Sequence, residues 1–155
     1  MEGSGNVFHW SELEMIRALL VDDQPQILEG LEMLLALESD VTIVGTAQTA
    51  EAAIALAHDL QPDIIVMDVR LPGIDGIAAT RALGQDLPSG KVVILSLYCD
   101  PETRRQAAEA GAQAFVAKHD MTQSLLATIR QIAAQTKQSM GEPAPQCSAR
   151  DERNV

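Results

Sequence analysis

Four short apolar runs in this sequence stop at side chains that can do chemistry. Ile16 to Val21 stops at Asp22-Asp23, Ile64 to Met67 at Asp68, and Val92 to Leu95 at Ser96, while Ala114 to Ala117 runs straight into Lys118. Three carboxylates brought into one crevice repel one another, and a divalent cation relieves that repulsion. Mg²⁺ is the natural choice, being a hard ion that takes one or two carboxylates together with phosphate and waters. Asp23 and Asp68 are expected as direct ligands, with Asp22 binding directly or through a water and a backbone carbonyl near Arg70 completing the protein's share. Asp68 is the candidate nucleophile, since a carboxylate attacking phosphorus gives an acyl phosphate. Such a site must hold its nucleophile in line and neutralise charge on the transferring oxygens. Lys118 would bring a mobile ammonium to the phosphate, and Ser96 a hydroxyl that bonds a phosphoryl oxygen.

Each residue alone has an ordinary reading. An Asp-Asp pair can cap a helix, Asp68 can occupy a turn, Ser96 can be a structural hydroxyl and Lys118 a solvated charge. Their joint placement at the carboxyl ends of the runs is what argues for a site, because that edge of a parallel sheet gathers ligands. Phe115 is either a core aromatic of an edge strand or a ring that moves inward when Ser96 shifts toward phosphate, and Tyr98 could share that role. His119 has no second histidine or cysteine at ligand spacing, and His9 and His58 likewise read as structural or exposed.

The elements that must position these groups alternate. Strands are expected at Ile16–Val21, Thr42–Ala47, Ile64–Met67, Val92–Leu95 and Ala114–Ala117. Between them, Gln26 to Leu37 carries Ile27, Leu28, Leu31, Leu34 and Leu35 at helical spacing, and Ala50 to Leu60 is Ala-rich. A loop through Leu71-Pro72-Gly73 and Gly76 leads into a short helix ending near Leu83-Gly84. Pro101 opens a helix that ends at Gly111, and Leu125 to Ala134 forms the last one. Short apolar strands separated by helices mean a parallel sheet covered on both sides. The expected organisation is an extension over 1–14, one α/β domain over 15–138, and a tail or linker over 139–155.

Composition narrows the function. The chain has 155 residues and is 46% hydrophobic, which suits one folded domain with a real core. No apolar run approaches a membrane span and the N-terminus does not read as a secretory signal, so a cytoplasmic protein without membrane contact is expected. A formal net charge of -11 disfavours nucleic-acid contact by this domain, and 3% aromatics offer no stacking platform. Cys99 and Cys147 form no metal-ligand or redox pair by spacing and read as free thiols.

With these residues in place the chain resembles the receiver domains of two-component response regulators. The resemblance covers about residues 15 to 138. It rests on Ala18-Leu19-Leu20-Val21-Asp22-Asp23, on Asp63 through Gly76 with Asp68 at its centre, on Val93-Ile94-Leu95-Ser96-Leu97-Tyr98, and on Ala110-Gly111-Ala112 leading to Phe115 and Lys118. It implies a flavodoxin-like, CheY-like doubly wound sheet of five parallel strands in the order 2-1-3-4-5. It implies that a sensor histidine kinase or phosphotransfer protein supplies the phosphoryl group to Asp68, with Mg²⁺ held by Asp22, Asp23 and Asp68. It further implies that Ser96 and Phe115 couple the phosphate to the face made by helix 4, strand 5 and helix 5. Such a domain catalyses part of its own phosphorylation and slow dephosphorylation but turns over no separate metabolite, so it is not an enzyme in the usual sense.

The stretches Ser96-Leu97-Tyr98 and Glu109-Ala110-Gly111-Ala112 are most similar to receivers that precede LuxR-type helix-turn-helix domains, which regulate transcription, often as homodimers. No DNA-binding domain follows here, so the chain is either a stand-alone receiver, acting through protein–protein contacts or phosphorelay, or the receiver part of a longer regulator. Dimerisation could use helices 1 and 5 or the helix 4 to helix 5 face. Two departures from the family stand out: His119 replaces the usual proline after the lysine, and Arg70 sits where attacking water would approach. A phosphatase with an aspartyl-phosphate intermediate is the enzymatic alternative, but it would usually carry Asp-x-Asp at the first strand and a cap domain. A phosphorylation-independent interaction module is the third reading. No glycine-rich phosphate loop follows any strand, which weighs against nucleotide binding.

Overall fold

The computed structural model describes residues 15–87 and 90–139. Five strands and five helices alternate: β1 (Ile16–Val21), α1 (Pro25–Ala36), β2 (Val41–Ala47), α2 (Ala50–Leu60), β3 (Ile64–Asp68), α3 (Gly76–Asp86), β4 (Lys91–Ser96), α4 (Pro101–Ala110), β5 (Ala114–Ala117) and α5 (Met121–Ser139). The strands form one parallel sheet in the order β2-β1-β3-β4-β5. This is the doubly wound flavodoxin-like arrangement that the strand pattern and the family resemblance led one to expect.

The central strands explain why their sequences are apolar throughout rather than alternating. All five residues of β3 are buried, as are five of the six in β1, because helices cover both faces of the sheet. On one face, Ala18 and Leu20 of β1 and Val66 of β3 meet Leu28, Leu31 and Leu35 of α1 and Leu125, Ile129 and Ile132 of α5. On the other, Leu19, Val21, Ile65 and Met67 meet Ala50, Ala53 and Ala57 of α2, Ala79 and Leu83 of α3 and Ala107 of α4. Each large aliphatic side chain buried this way contributes roughly 1.5–3 kcal/mol.

The helix ends are chemically marked. Thr49, Asp75 and Asp100 cap α2, α3 and α4 by accepting from the backbone N–H of Ala52, Ala78 and Thr103. Pro101 occupies the first turn of α4, and Gly111 closes that helix at φ 107, a left-handed conformation suited to glycine.

Two helices differ from expectation by more than one residue. Helix α3 runs through Gly84 to Asp86, since Leu83 is buried and its carbonyl accepts from Leu87 N–H at 2.7 Å, so the fold holds the last turn despite the glycine. Helix α5 starts at Met121, four residues before Leu125, because a 3₁₀ turn over Lys118–Asp120 feeds directly into it, and it reaches Ser139. His119 lies in that turn, and the described residues contain no cis peptide bond, so the replacement of proline leaves a short helical entry to α5. The expected extension over 1–14, the tail beyond 139, His9 and Cys147 lie outside the described residues. No helix among the described residues is long and apolar enough to cross a membrane.

Candidate functional site

The sheet order brings the chemical residues together. β1 and β3 are neighbours, with Val21 paired to Met67, so Asp22 and Asp68 emerge side by side. β4 lies next, with Asp68 paired to Leu95, and β5 follows with Ala117 paired to Ser96, which places Lys118 just beyond. Asp22 and Ser96 are fully buried and Asp68 is 4% exposed, whereas Asp23 is exposed. One carboxylate oxygen from each of Asp22, Asp23 and Asp68 lies within 4.8 Å of the others.

Lys118 turns into the site, as its proposed role requires, and is held there. Its side chain is 7% exposed, with Nζ 2.7 Å from Asp22 Oδ2 and 3.4 Å from Asp68 Oδ1. The flat run from β5 into the 3₁₀ turn carries the ammonium inward, where it balances two buried carboxylates. Asp22 Oδ1 accepts from Gln24 N–H at 2.9 Å, a local turn that fixes the carboxylate. Among the described residues Asp22 Oδ2 has no hydrogen bond although the ammonium is close, so that contact is an ion pair without hydrogen-bond geometry.

Burial, and then the neighbouring Asp22, push the Asp68 carboxyl up to about 6, while Lys118 and the backbone at Arg70 pull the other way. Ionising the nucleophile is therefore harder here than in water, and a further positive charge would ease it. The donor set fits a hard divalent cation on these grounds. It offers three carboxylates in mutual reach, one of them with an unbonded buried oxygen and one resisting ionisation.

The loop after β3 is drawn tight beneath Asp68. Gly76 N–H donates to Val69 O at 2.7 Å, and a Cβ at Gly76 would run into the Asp68 backbone carbonyl. Only glycine lets α3 begin this close to the strand end. Above the site, Asp23, Gln24, Asp68, Arg70, Leu97, Tyr98 and Lys118 line one open pocket. Ser96 Oγ accepts from Tyr98 N–H at 3.0 Å. The Arg70 guanidinium lies 4.2 Å from the centre of the Tyr98 ring, which is itself 47% exposed. Phe115 is half-buried against the second core, and Arg104 sits 5.0 Å over its ring. Cys99 is a free thiol in the same loop, His119 is exposed, and His58 is exposed and paired with Asp86.

All the predicted site residues thus fall on one edge of the sheet, with Phe115 set back toward α4. Sequence reasoning missed two participants. Gln24 carries the signal of an Asx turn two residues after Asp22, whereas Arg104 over Phe115 joins two elements and has no local signature.

A model of the response regulator receiver domain matches residues 18–130. The chain belongs to the response regulator receiver family. Among curated relatives, the response regulator protein VraR of Staphylococcus saprophyticus is 33% identical over 115 residues, covering 74% of this chain and 55% of the relative. The chain therefore spans about half the length of the curated relatives it matches. Among solved structures, a LuxR-family two-component response regulator from Aurantimonas is 34% identical with a TM-score of 0.75, covering 77% of this chain and 86% of that one. The receiver domain of a NarL regulator from Mycobacterium tuberculosis is 30% identical with a TM-score of 0.74, covering 78% and 98%. These similarities make this a receiver domain of two-component response regulators, most similar to the receivers of LuxR-type regulators.

Proposed function

We propose that this receiver is a phosphorylation switch in which Asp68 accepts a phosphoryl group from a histidine kinase or phosphotransfer protein. The observation that supports this most is the buried cluster of Asp22 and Asp68 bridged by Lys118, with the exposed Asp23 in ligand range. Mg²⁺ bound by Asp22, Asp23, Asp68 and the Arg70 carbonyl would neutralise charge on the transferring oxygens. An Asp68 carboxylate oxygen forms the new bond to phosphorus, the phosphorus–nitrogen bond of the donor phosphohistidine breaks, and its electron pair stays on the imidazole. Lys118 then shifts its charge from the carboxylates toward the phosphoryl oxygens. Ser96, whose Oγ accepts from Tyr98 N–H in the resting protein, donates its hydroxyl proton to a phosphoryl oxygen. The added charge of roughly -1.5 to -2 shifts the population between two surface shapes, read through Phe115 and Tyr98.

The domain turns over no separate metabolite and acts in the cytoplasm. Its output is transcriptional control through a DNA-binding segment of the kind LuxR-type relatives carry, since its own charge of -11 suits no DNA surface.

The test is intact mass after adding acetyl phosphate, with and without Mg²⁺, on wild type and Asp68→Ala. A gain of one phosphoryl group only in wild type with Mg²⁺ is expected. No gain under any condition would leave a phosphorylation-independent binding module.

A further inference from the structure

Tyr98 is held by two contacts, and one of the holders, Arg70, lines the pocket over Asp68. Its backbone N–H donates to Ser96 Oγ at 3.0 Å, and its ring lies under the Arg70 guanidinium at 4.2 Å. Arg70 follows Asp68 by two residues and lines the same pocket as Asp23, Asp68 and Lys118. Among the described residues it makes no ion pair, so its charge is committed only to the face of an aromatic ring. A cation–π contact at an exposed ring is weak, whereas a guanidinium forms strong, often bidentate, bonds to phosphate oxygens. A dianionic group at the pocket floor would therefore draw Arg70 off the ring.

We propose that Arg70 is a positioning residue that holds Tyr98 in the unphosphorylated protein and releases it when a phosphoryl group forms on Asp68. This rests on the phosphorylation reading above and extends it. The ring contact of Tyr98 is then lost, while Ser96 Oγ keeps its lone pair for the Tyr98 backbone N–H and offers its own proton to a phosphoryl oxygen. The Tyr98 side chain, 47% exposed, and the neighbouring Leu97, 61% exposed, become free to meet a partner. Phe115 lies under a different arginine, Arg104, so this route from phosphate to surface does not require that ring to turn.

Tyr98 is the only tyrosine in the sequence, so 3-fluorotyrosine labels this one position. Fluorine NMR of wild type, Arg70→Ala and Arg70→Lys is recorded without additions and with Mg²⁺ plus acetyl phosphate, and intact mass is taken on the same samples. Arg70 is exposed, so neither substitution threatens folding. The resting Arg70→Ala resonance is expected to be displaced from wild type toward the phosphorylated wild-type position. Phosphorylation should then move it by less than half the wild-type shift. Arg70→Lys, which keeps the charge but loses the planar stack, should fall between. A resting Arg70→Ala resonance at the wild-type position overturns the proposal. So does a wild-type sample whose mass shows the phosphoryl group while its resonance stays put, an outcome that leaves the phosphorylation reading intact. Absence of any mass gain in wild type removes both.

Discussion

Two clusters in this molecule pair carboxylates with a single cation, and they behave oppositely. At the carboxyl edge of the sheet, Lys118 stands between Asp22 and Asp68, all three nearly out of solvent. At the other end, Arg130 of α5 clamps Glu38 and Asp40, which precede β2, at 2.8 and 2.9 Å, with every partner part-exposed. In the first cluster Asp68 is pushed up to about 6, and in the second hydrogen bonds from Arg130 hold Asp40 below the usual carboxylate range. The number of partners is the same, so the difference lies in burial and geometry. Water solvates the second cluster and the guanidinium fork bonds Asp40 through both oxygens. The first is largely buried and, among the described residues, leaves Asp22 Oδ2 without a hydrogen bond. One cluster is satisfied as it stands, while the other lacks a positive charge.

The most damaging way to break the comparison is to remove the cation from the buried cluster. Lys118→Met should destabilise the metal-free protein by about 3–5 kcal/mol, the usual cost of leaving a buried charge unpaired. Adding Asp68→Asn to that variant should recover part of the loss, because it removes one of the two repelling carboxylates. Urea unfolding of the two variants measures both effects, and a double variant no more stable than Lys118→Met would refute the repulsion.

Protonation sharpens the same contrast. Asp68 is raised from 3.8 to about 6 in the folded state, so between those values the folded protein binds more protons than the unfolded one. Stability of the metal-free wild type should therefore fall as pH rises from about 4 to about 6, by roughly 1–3 kcal/mol once screening at the open mouth is allowed for. Asp68→Asn should flatten that slope. Asp40 has the opposite sign: its contribution is present above 3.8 and is lost only as pH falls through its lowered folded value, so it leaves this window nearly untouched. Chemical denaturation across the window in EDTA provides the measurement.

Supplying the missing charge should have a smaller but selective effect. Mg²⁺ at ten times its dissociation constant should stabilise the wild type by about 1.4 kcal/mol at neutral pH. Asp23→Asn should lose most of that gain while leaving the metal-free melting temperature close to wild type, since Asp23 is exposed. A Mg²⁺ shift retained in full by Asp23→Asn would remove it from the ligand set.

The buried cluster was legible in the sequence and the exposed clamp was not, and the reason is physical. Asp22, Asp68, Ser96 and Lys118 each end an apolar run, and a parallel sheet aligns such ends automatically, so local pattern plus topology locates them. Arg130 meets Asp40 across 90 residues, and Arg70 meets Tyr98 across two loops, contacts that no periodicity records. Lys118 was placed at the site by its position after the fifth strand, but its ion pairs with Asp22 and Asp68 depend on the 3₁₀ turn that aims it, which no local pattern records. The early start of α5 at Met121 follows from the same turn, which supplies the nucleus that Leu125 alone did not announce.

The weakest perturbation tests the satisfied side. Arg130→Ala removes three hydrogen bonds, to Glu38 and to both oxygens of Asp40, yet all three residues keep contact with water. The freed carboxylates are then solvated rather than stranded, so the loss in melting temperature should be a small fraction of that from Lys118→Met. It should shrink further in high salt, because exposed charges are screened within a Debye length. The Lys118→Met loss should depend less on monovalent salt in the absence of divalent cations, since buried charges are screened less than exposed ones. Melting curves of both variants at low and high ionic strength decide the matter. Equal salt sensitivity would mean that burial does not separate the two clusters, and that the Asp68 site is less desolvated than its exposure indicates.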